Sequence, residues 1–181
     1  MVAFPGRIVV AAAVDRRWVE SWTRDGDLST PLNPLFLGAL EEMLRLEVNN
    51  IDAIMVAESL PGDPELDVTP VADPTRYDGA HPRVVRALRF RQDVRVWAAD
   101  GGLLLLGRGL AGRWEVAVEV DQERRGTGLG RALARAARHL VPEQRPVWAQ
   151  VAPGNAASMR AFLAAGYAPV GAEALLMPRA G

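Results

Sequence analysis

The feature that most constrains this chain is a change of period between Glu115 and Leu140, EVAVEVDQERRGTGLGRALARAARHL. Arg113 to Val120 alternates and is rich in valine, as a strand should be. Asp121 to Glu123 is a polar turn, and Gly126, Gly128 and Gly130 follow at every second position. Leu129, Leu133, Ala136 and Leu140 then recur at helical spacing. A strand therefore runs through a glycine-rich turn into an amphipathic helix. The first amides of such a helix have no intrahelical partner and lie at the positive end of its dipole. Glycines let a backbone approach an anion closely. The turn suits a phosphate group, although a plain strand-to-helix turn uses glycines as well.

A nucleoside-triphosphate loop closes on Gly-Lys-Ser/Thr, and this chain contains no lysine. The dinucleotide fingerprint G-x-G-x-x-G/A fails too, because the sixth position from Gly126 is Arg131 and from Gly128 is Leu133. What is present is Arg125-x-x-Gly128-x-Gly130, which resembles the acyl-CoA loop, (Gln/Arg)-x-x-Gly-x-(Gly/Ala), of the GNAT superfamily of N-acyltransferases. A second stretch supports it. Val147 to Val151 reads as a short buried strand, followed by Asn155-Ala-Ala-Ser158-Met-Arg-Ala-Phe162-Leu-Ala-Ala-Gly166-Tyr167. Asn155 is a good N-cap and Gly166 a good C′ residue. This pattern is similar to the last helix of GNAT proteins. The resemblance covers Val94 to about Met177 well and the residues before them poorly.

With 181 residues the chain suits one domain with a real core. The expected organisation is a single GNAT-like domain over 1–181, with a divergent acceptor-side part over 1–92 and an acyl-CoA-binding core over 93–178. There is no cysteine, which excludes disulfides, thiolate metal sites and cysteine nucleophiles. His81 and His139 fit no zinc spacing, so no metal is expected. The apolar run Ile8 to Val14 is too short to span a membrane and makes a poor signal peptide, so the expected compartment is the cytoplasm. Charge is unevenly spread: residues 1–75 hold five arginines against thirteen acids, and residues 76–181 hold sixteen against nine. A basic second half suits a ligand with several phosphates, and an acidic first half suits a cationic substrate. Two solvated faces would read the same way. The arginines are not interleaved with exposed aromatics, so no nucleic-acid partner is expected.

Taken in order, Ile8 to Ala13 is expected as the first strand, then a helix from Arg16 to Thr23 capped by Asp15. Gly26 to Asn33 reads as loop and Leu35 to Leu46 as a helix. Val48-Asn-Asn is a stop, Ile51 to Ala57 a strand, and Pro61 to Tyr77 an irregular excursion. His81-Pro82 opens a short helix through Phe90 that carries Arg83, Arg86 and Arg89. Val94 to Ala98 and Leu103 to Leu106 form a hairpin across Asp100-Gly101. Tyr167 to Val170 and Glu173 to Met177 are expected as a closing pair of short strands. The fold class is α/β: a mixed, mostly antiparallel sheet with helices on both faces, and the resemblance adds a central splay.

The resemblance implies a donor, acetyl-CoA, and an acceptor, a primary amine on a small molecule or peptide. It places the pyrophosphate on the amides of Arg125, Gly126, Thr127, Gly128, Leu129 and Gly130, with Arg131 near the phosphates. The pantetheine arm would pair with Val118 to Val120 as an added strand, and the Val120 N–H would steady the oxyanion. Asn155 and Ser158 are candidate contacts; Asn155 serves equally as a helix cap and Arg131 as a solvated helix residue. Glu119 and Glu115, on either side of Ala117 and on one strand face, are candidates for the base. GNAT enzymes that use a general acid usually have a tyrosine where this chain has Phe162, which cannot donate a proton. Tyr167 and Ser158 carry the hydroxyls nearest in sequence. A thiol pKa of roughly 8.5, by analogy with cysteine, makes CoA a tolerable leaving group with water as acid. A second reading is an acyl-CoA-binding or sensing module without turnover. A homodimer is compatible with exposed sheet edges.

Overall fold

The computed structural model describes residues 1–23, 32–79 and 81–179, so residues 26–31 of the expected loop lie outside them. The chain divides into two compact units.

The first unit holds Met1–Ile54, Ala152–Gly154 and the chain from Pro169. Its strands are β1 (Val2–Phe4), β2 (Arg7–Val9), most of β3 (Leu46–Ala57) and most of β9 (Ala168–Pro178), ordered β2-β1-β9-β3. Helices α1 (Arg16–Trp22) and α2 (Pro34–Leu44) complete it. Asp15 accepts from the amides of Arg17 and Trp18 and so caps α1 as expected. Trp18 and Trp22 close on Phe36 with ring centroids 5.5 and 5.8 Å away, an aromatic core rather than a binding stripe.

Three expectations fail in this unit. The first strand is not Ile8 to Ala13 but a hairpin, Val2↔Val9 to Phe4↔Arg7, turned at Pro5-Gly6 with Gly6 at φ +72°. Val48-Asn-Asn is not a stop. The helix ends earlier, on Arg45 in the left-handed conformation, and β3 runs on through the asparagines. The closing pair of strands is one strand: Gly171 is no turn, but the place where the Ala3 carbonyl of β1 sits where a Cβ would be.

The second unit holds Met55–Val151 and Asn155–Ala168. From the end of β3 its strands run β8 (Val147–Val151), β7 (Trp114–Val120), β6 (Gly102–Arg108), β5 (Gln92–Ala99) and β4 (Thr69–Pro70). All pairings from β4 to β7 are antiparallel, whereas β7 and β8 are parallel. The crossover between those two is α4 (Leu129–Leu140). The leucine run of β6 is buried on both sides, as in a strand covered on both faces. Leu104 and Leu106 pack against Leu129, Leu133 and Ala137 of α4 and Phe162 of α5 (Ala156–Ala164). Leu103 and Leu105 pack against Val84 and Ala87 of α3 (Pro82–Phe90). Truncating any of these leucines to alanine costs roughly 2–5 kcal/mol in such cores.

The excursion after β3 is strapped to the outside of α4. The Arg138 Nε donates to the Glu58 carbonyl at 2.8 Å, and the Leu60 amide donates to the Arg138 carbonyl at 2.7 Å. His139 Nδ1 lies 3.0 Å from the Pro61 carbonyl, which places that histidine at a helix end.

Candidate functional site

β7 is fully paired with β6, from Arg108↔Trp114 to Gly102↔Val120. Its pairing with β8 covers only Trp114↔Val147, Glu115↔Trp148 and Val116↔Ala149. β8 continues to Val151 and β7 to Val120. The two parallel strands thus part company after Val116, which is the central splay. Val118 and Val120 sit in that open stretch with half-buried side chains turned to the α4 core.

The turn that follows is built from short local bonds. Gln122–Arg124 is a single 3-10 turn, with the Arg124 amide on the Asp121 carbonyl at 2.9 Å. Thr127 spends its hydroxyl on the Arg124 carbonyl at 2.7 Å. Gly126 and Gly128 both adopt the left-handed conformation, φ +80° and +88°, and a Cβ on either would meet nothing within 4 Å. Glycine is required there by backbone shape, and the space outside it is open. Gly128 is the N-cap of α4 and no side chain caps that end. Gly130 differs: its Cβ would touch Val120 at 3.6 Å and Ala161 at 3.7 Å, so it is a helical glycine where α4, β7 and α5 meet. Leu129 is buried and anchors the first turn, while Arg125 and Arg131 are exposed.

The hairpin Asp100-Gly101 carries this turn, a role its sequence did not reveal. Asp100 pairs with the Arg124 guanidinium, and the Asp121 amide donates to the Gly101 carbonyl at 3.0 Å. A Cβ on Gly101 would land on Arg124 Cγ.

Asn155 caps α5, its Oδ1 accepting from the Ser158 amide at 3.0 Å. Phe162 is buried edge-on against Tyr167 with centroids 5.0 Å apart. The Tyr167 hydroxyl donates to the Ala134 carbonyl at 3.0 Å, and burial pushes it well above the ordinary tyrosine range. That hydroxyl is committed to the core and is not poised to give up a proton.

The two glutamates of β7 share a face but not an environment. Glu115 is 3 % exposed and takes Arg91 at 3.0 Å and Arg113 at 2.8 Å, with the Leu110 amide and Gln150 at 3.3 Å. It lies beside the paired end of the strand, away from the turn. Glu119 is about two-fifths exposed and, among the described residues, pairs with the Nε of Arg83 at 2.5 Å. The hydrogen bond from Arg83 holds its carboxyl below the usual range, aided by the charges of Arg83, His81 and Arg125, with burial opposing. Arg83, absent from the sequence-based candidates, stands 36 positions away with no local signal that it would reach Glu119.

Among the described residues no group of acids and histidines is arranged to hold a metal ion, and no helix is long and apolar enough to cross a membrane. The open turn, the uncapped helix and the splayed strand fit a ligand that is polyanionic at one end and extended at the other.

Residues 88–167 match the family model described as the acetyltransferase (GNAT) family. Among solved structures, the chain is similar to a GCN5-related N-acetyltransferase from Kribbella flavida, with 18% identity and a TM-score of 0.54 over 80% of this chain and 64% of that one. It is also similar to a functionally unknown conserved protein from Staphylococcus epidermidis, with 14% identity and a TM-score of 0.51 over 80% and 66%. At such identity the likeness speaks for the fold alone, and the chain spans less than two thirds of either structure's length. No curated protein matches the sequence. The GNAT resemblance thus holds for the matched segment, and the mixed, mostly antiparallel α/β fold is the fold of these neighbours.

Proposed function

We propose that this chain, whose residues 88–167 are a GNAT acetyltransferase segment, is an N-acetyltransferase. It would move an acetyl group from acetyl-CoA to a primary amine of a small molecule or peptide. The observation that carries the reading is the run from Val118 to Arg131: an open strand edge, two left-handed glycines and an uncapped helix end in sequence.

In this reading the backbone amides from Arg125 to Gly130 hold the pyrophosphate, with Thr127 stiffening the turn and Arg125 and Arg131 adding charge. Val118 and Val120 offer main-chain bonds to the pantetheine arm, and the Val120 N–H faces the carbonyl oxygen. Asn155 and Ser158 border the arm from α5. The bound donor supplies a thioester carbon open to attack. The acceptor nitrogen forms the C–N bond as the C–S bond breaks. The proton lost by the nitrogen passes to Glu119 or, through it, to water, and the thiolate takes a proton from water. Glu115 is left out of this chemistry because two arginines and two further donors already satisfy it. The acceptor-side part lies over 1–92 and the acyl-CoA-binding core over 93–178, and the reaction runs in the compartment that holds acetyl-CoA, the cytoplasm.

One observation favours the second reading, a binding or sensing module: Phe162 offers no proton and Tyr167 is locked on Ala134. The test is thermal stability with acetyl-CoA, CoA and adenosine 3′,5′-bisphosphate, followed by free-CoA release with amines. Stabilisation with turnover supports the enzyme, and stabilisation without turnover supports the module. No stabilisation at saturating ligand refutes both.

A further inference from the structure

The Arg83–Glu119 pair is a poor match to a merely cationic acceptor. Glu119 stands three positions past the last residue paired with β8 and next to Val120, at the open part of the strand. It projects to the face covered by α3, opposite the α4 core. Both partners are about two-fifths exposed, and the contact uses only Nε of Arg83 and Oε2 of Glu119. Among the described residues, Nη1 and Nη2 of Arg83 and Oε1 of Glu119 make no hydrogen bond. The pair therefore presents two adjacent unused groups, a fork of N–H donors and a carboxylate oxygen. A second arginine, Arg125, also acts on Glu119.

A planar fork of Arg donors matches a carboxylate in two parallel bonds, and a carboxylate oxygen matches an ammonium. We infer that the acceptor site recognises a zwitterion, a primary amine with a carboxylate close by as in an amino acid, the ammonium on Glu119 Oε1 and the carboxylate on the Nη nitrogens of Arg83. A simple amine or polyamine would meet one carboxylate beside two arginines, Arg83 and Arg125, and gain little. Glu119, held charged by Arg83, is suited first to binding the ammonium and only then to relaying its proton. This rests on the acyltransferase reading for the acceptor's purpose, but not for the binding site itself.

Two readouts separate the two ideas. The first is stabilisation of the CoA-bound protein by amino acids (glycine, alanine, glutamate, phenylalanine, lysine, arginine) against the matching amines and amino-acid amides. The second is free-CoA release from acetyl-CoA with the same panel. The expected result is a preference for the carboxylate-bearing partner of about tenfold or more in affinity or kcat/KM. Arg83→Gln should cut that ratio to about threefold or less, and Arg83→Lys should restore part of it. Carboxylate-dependent binding without CoA release would uphold the zwitterion site and sink the enzyme reading. CoA release equal for acids, amides and amines would do the reverse. The inference is also overturned if no amino acid stabilises the protein, or if Arg83→Gln weakens every ligand alike.

Discussion

Glu115 and Glu119 lie on one strand, on one face, four residues apart, and each meets arginine. Glu115 sits where β7 is paired on both edges, closed over by the Gly109 backbone and bonded by two arginines, an amide and Gln150. Glu119 sits past the splay, paired among the described residues with Arg83 and about two-fifths exposed. The first is a buried ion cluster that fixes the end of a sheet; the second is a half-solvated pair at an open edge. The side-chain type is the same, and the pairing of the neighbouring strand decides which glutamate is structural and which is available.

The sharpest way to break this contrast is to delete each carboxylate. Removing Glu115 strands Arg91, which burial already pulls below its ordinary pKa against the opposing pull of Glu115, beside a second cation, Arg113. Leaving buried charge uncompensated costs about 3–5 kcal/mol, so Glu115→Ala should lose that much in urea unfolding. A loss below about 1 kcal/mol would mean the cluster is wet and the comparison false.

Next in size is Gly109→Ala. Its Cβ would fall on the Glu115 carboxylate, so the cluster must shift, at about 1–3 kcal/mol. Gly126→Ala meets nothing in space and should cost about 1–2 kcal/mol for its left-handed backbone alone. It should also weaken stabilisation by acetyl-CoA, which Gly109→Ala should leave intact once its lower baseline is subtracted. Equal effects on ligand stabilisation would erase the functional difference between the two ends of β7.

The sequence made one side of this contrast legible and hid the other. The period change at Asp121–Gly130 located strand, turn and helix because each has its own repeat, and the α4 boundaries follow. The leucine run of β6 and the Asp100-Gly101 turn were readable for the same local reason. Partners brought together by tertiary packing were not. Nothing near Glu115 announces Arg91, nothing near Glu119 announces Arg83, and Asp100 gives no sign of reaching Arg124. Gly171 reads as a break because the Ala3 carbonyl that demands a glycine lies in a strand at the other end of the chain. Alternation could say that the two glutamates share a face, but not that the neighbouring strand departs between them.

The smallest predicted effect is the most diagnostic of solvent access. Glu119→Gln should cost only about 0.2–1 kcal/mol, as half-exposed ion pairs do. Because the Arg83 hydrogen bond lowers the folded-state pKa of Glu119 below its ordinary 4.5, the pair's stabilisation is complete above that value. It fades as pH falls through the lowered folded pKa, where the carboxylate protonates in the native state too. The stability gap between wild type and Glu119→Gln, followed by urea unfolding, should therefore be flat from neutral pH to about 4.5 and close on further acidification. Raising salt toward about 1 M, where screening acts within roughly 3 Å, should close it at neutral pH as well. The Glu115→Ala gap should survive that salt, since water and ions do not reach between its partners. If both gaps collapse together in salt, the two ends of β7 are equally solvated and Glu119 has no special claim to a substrate.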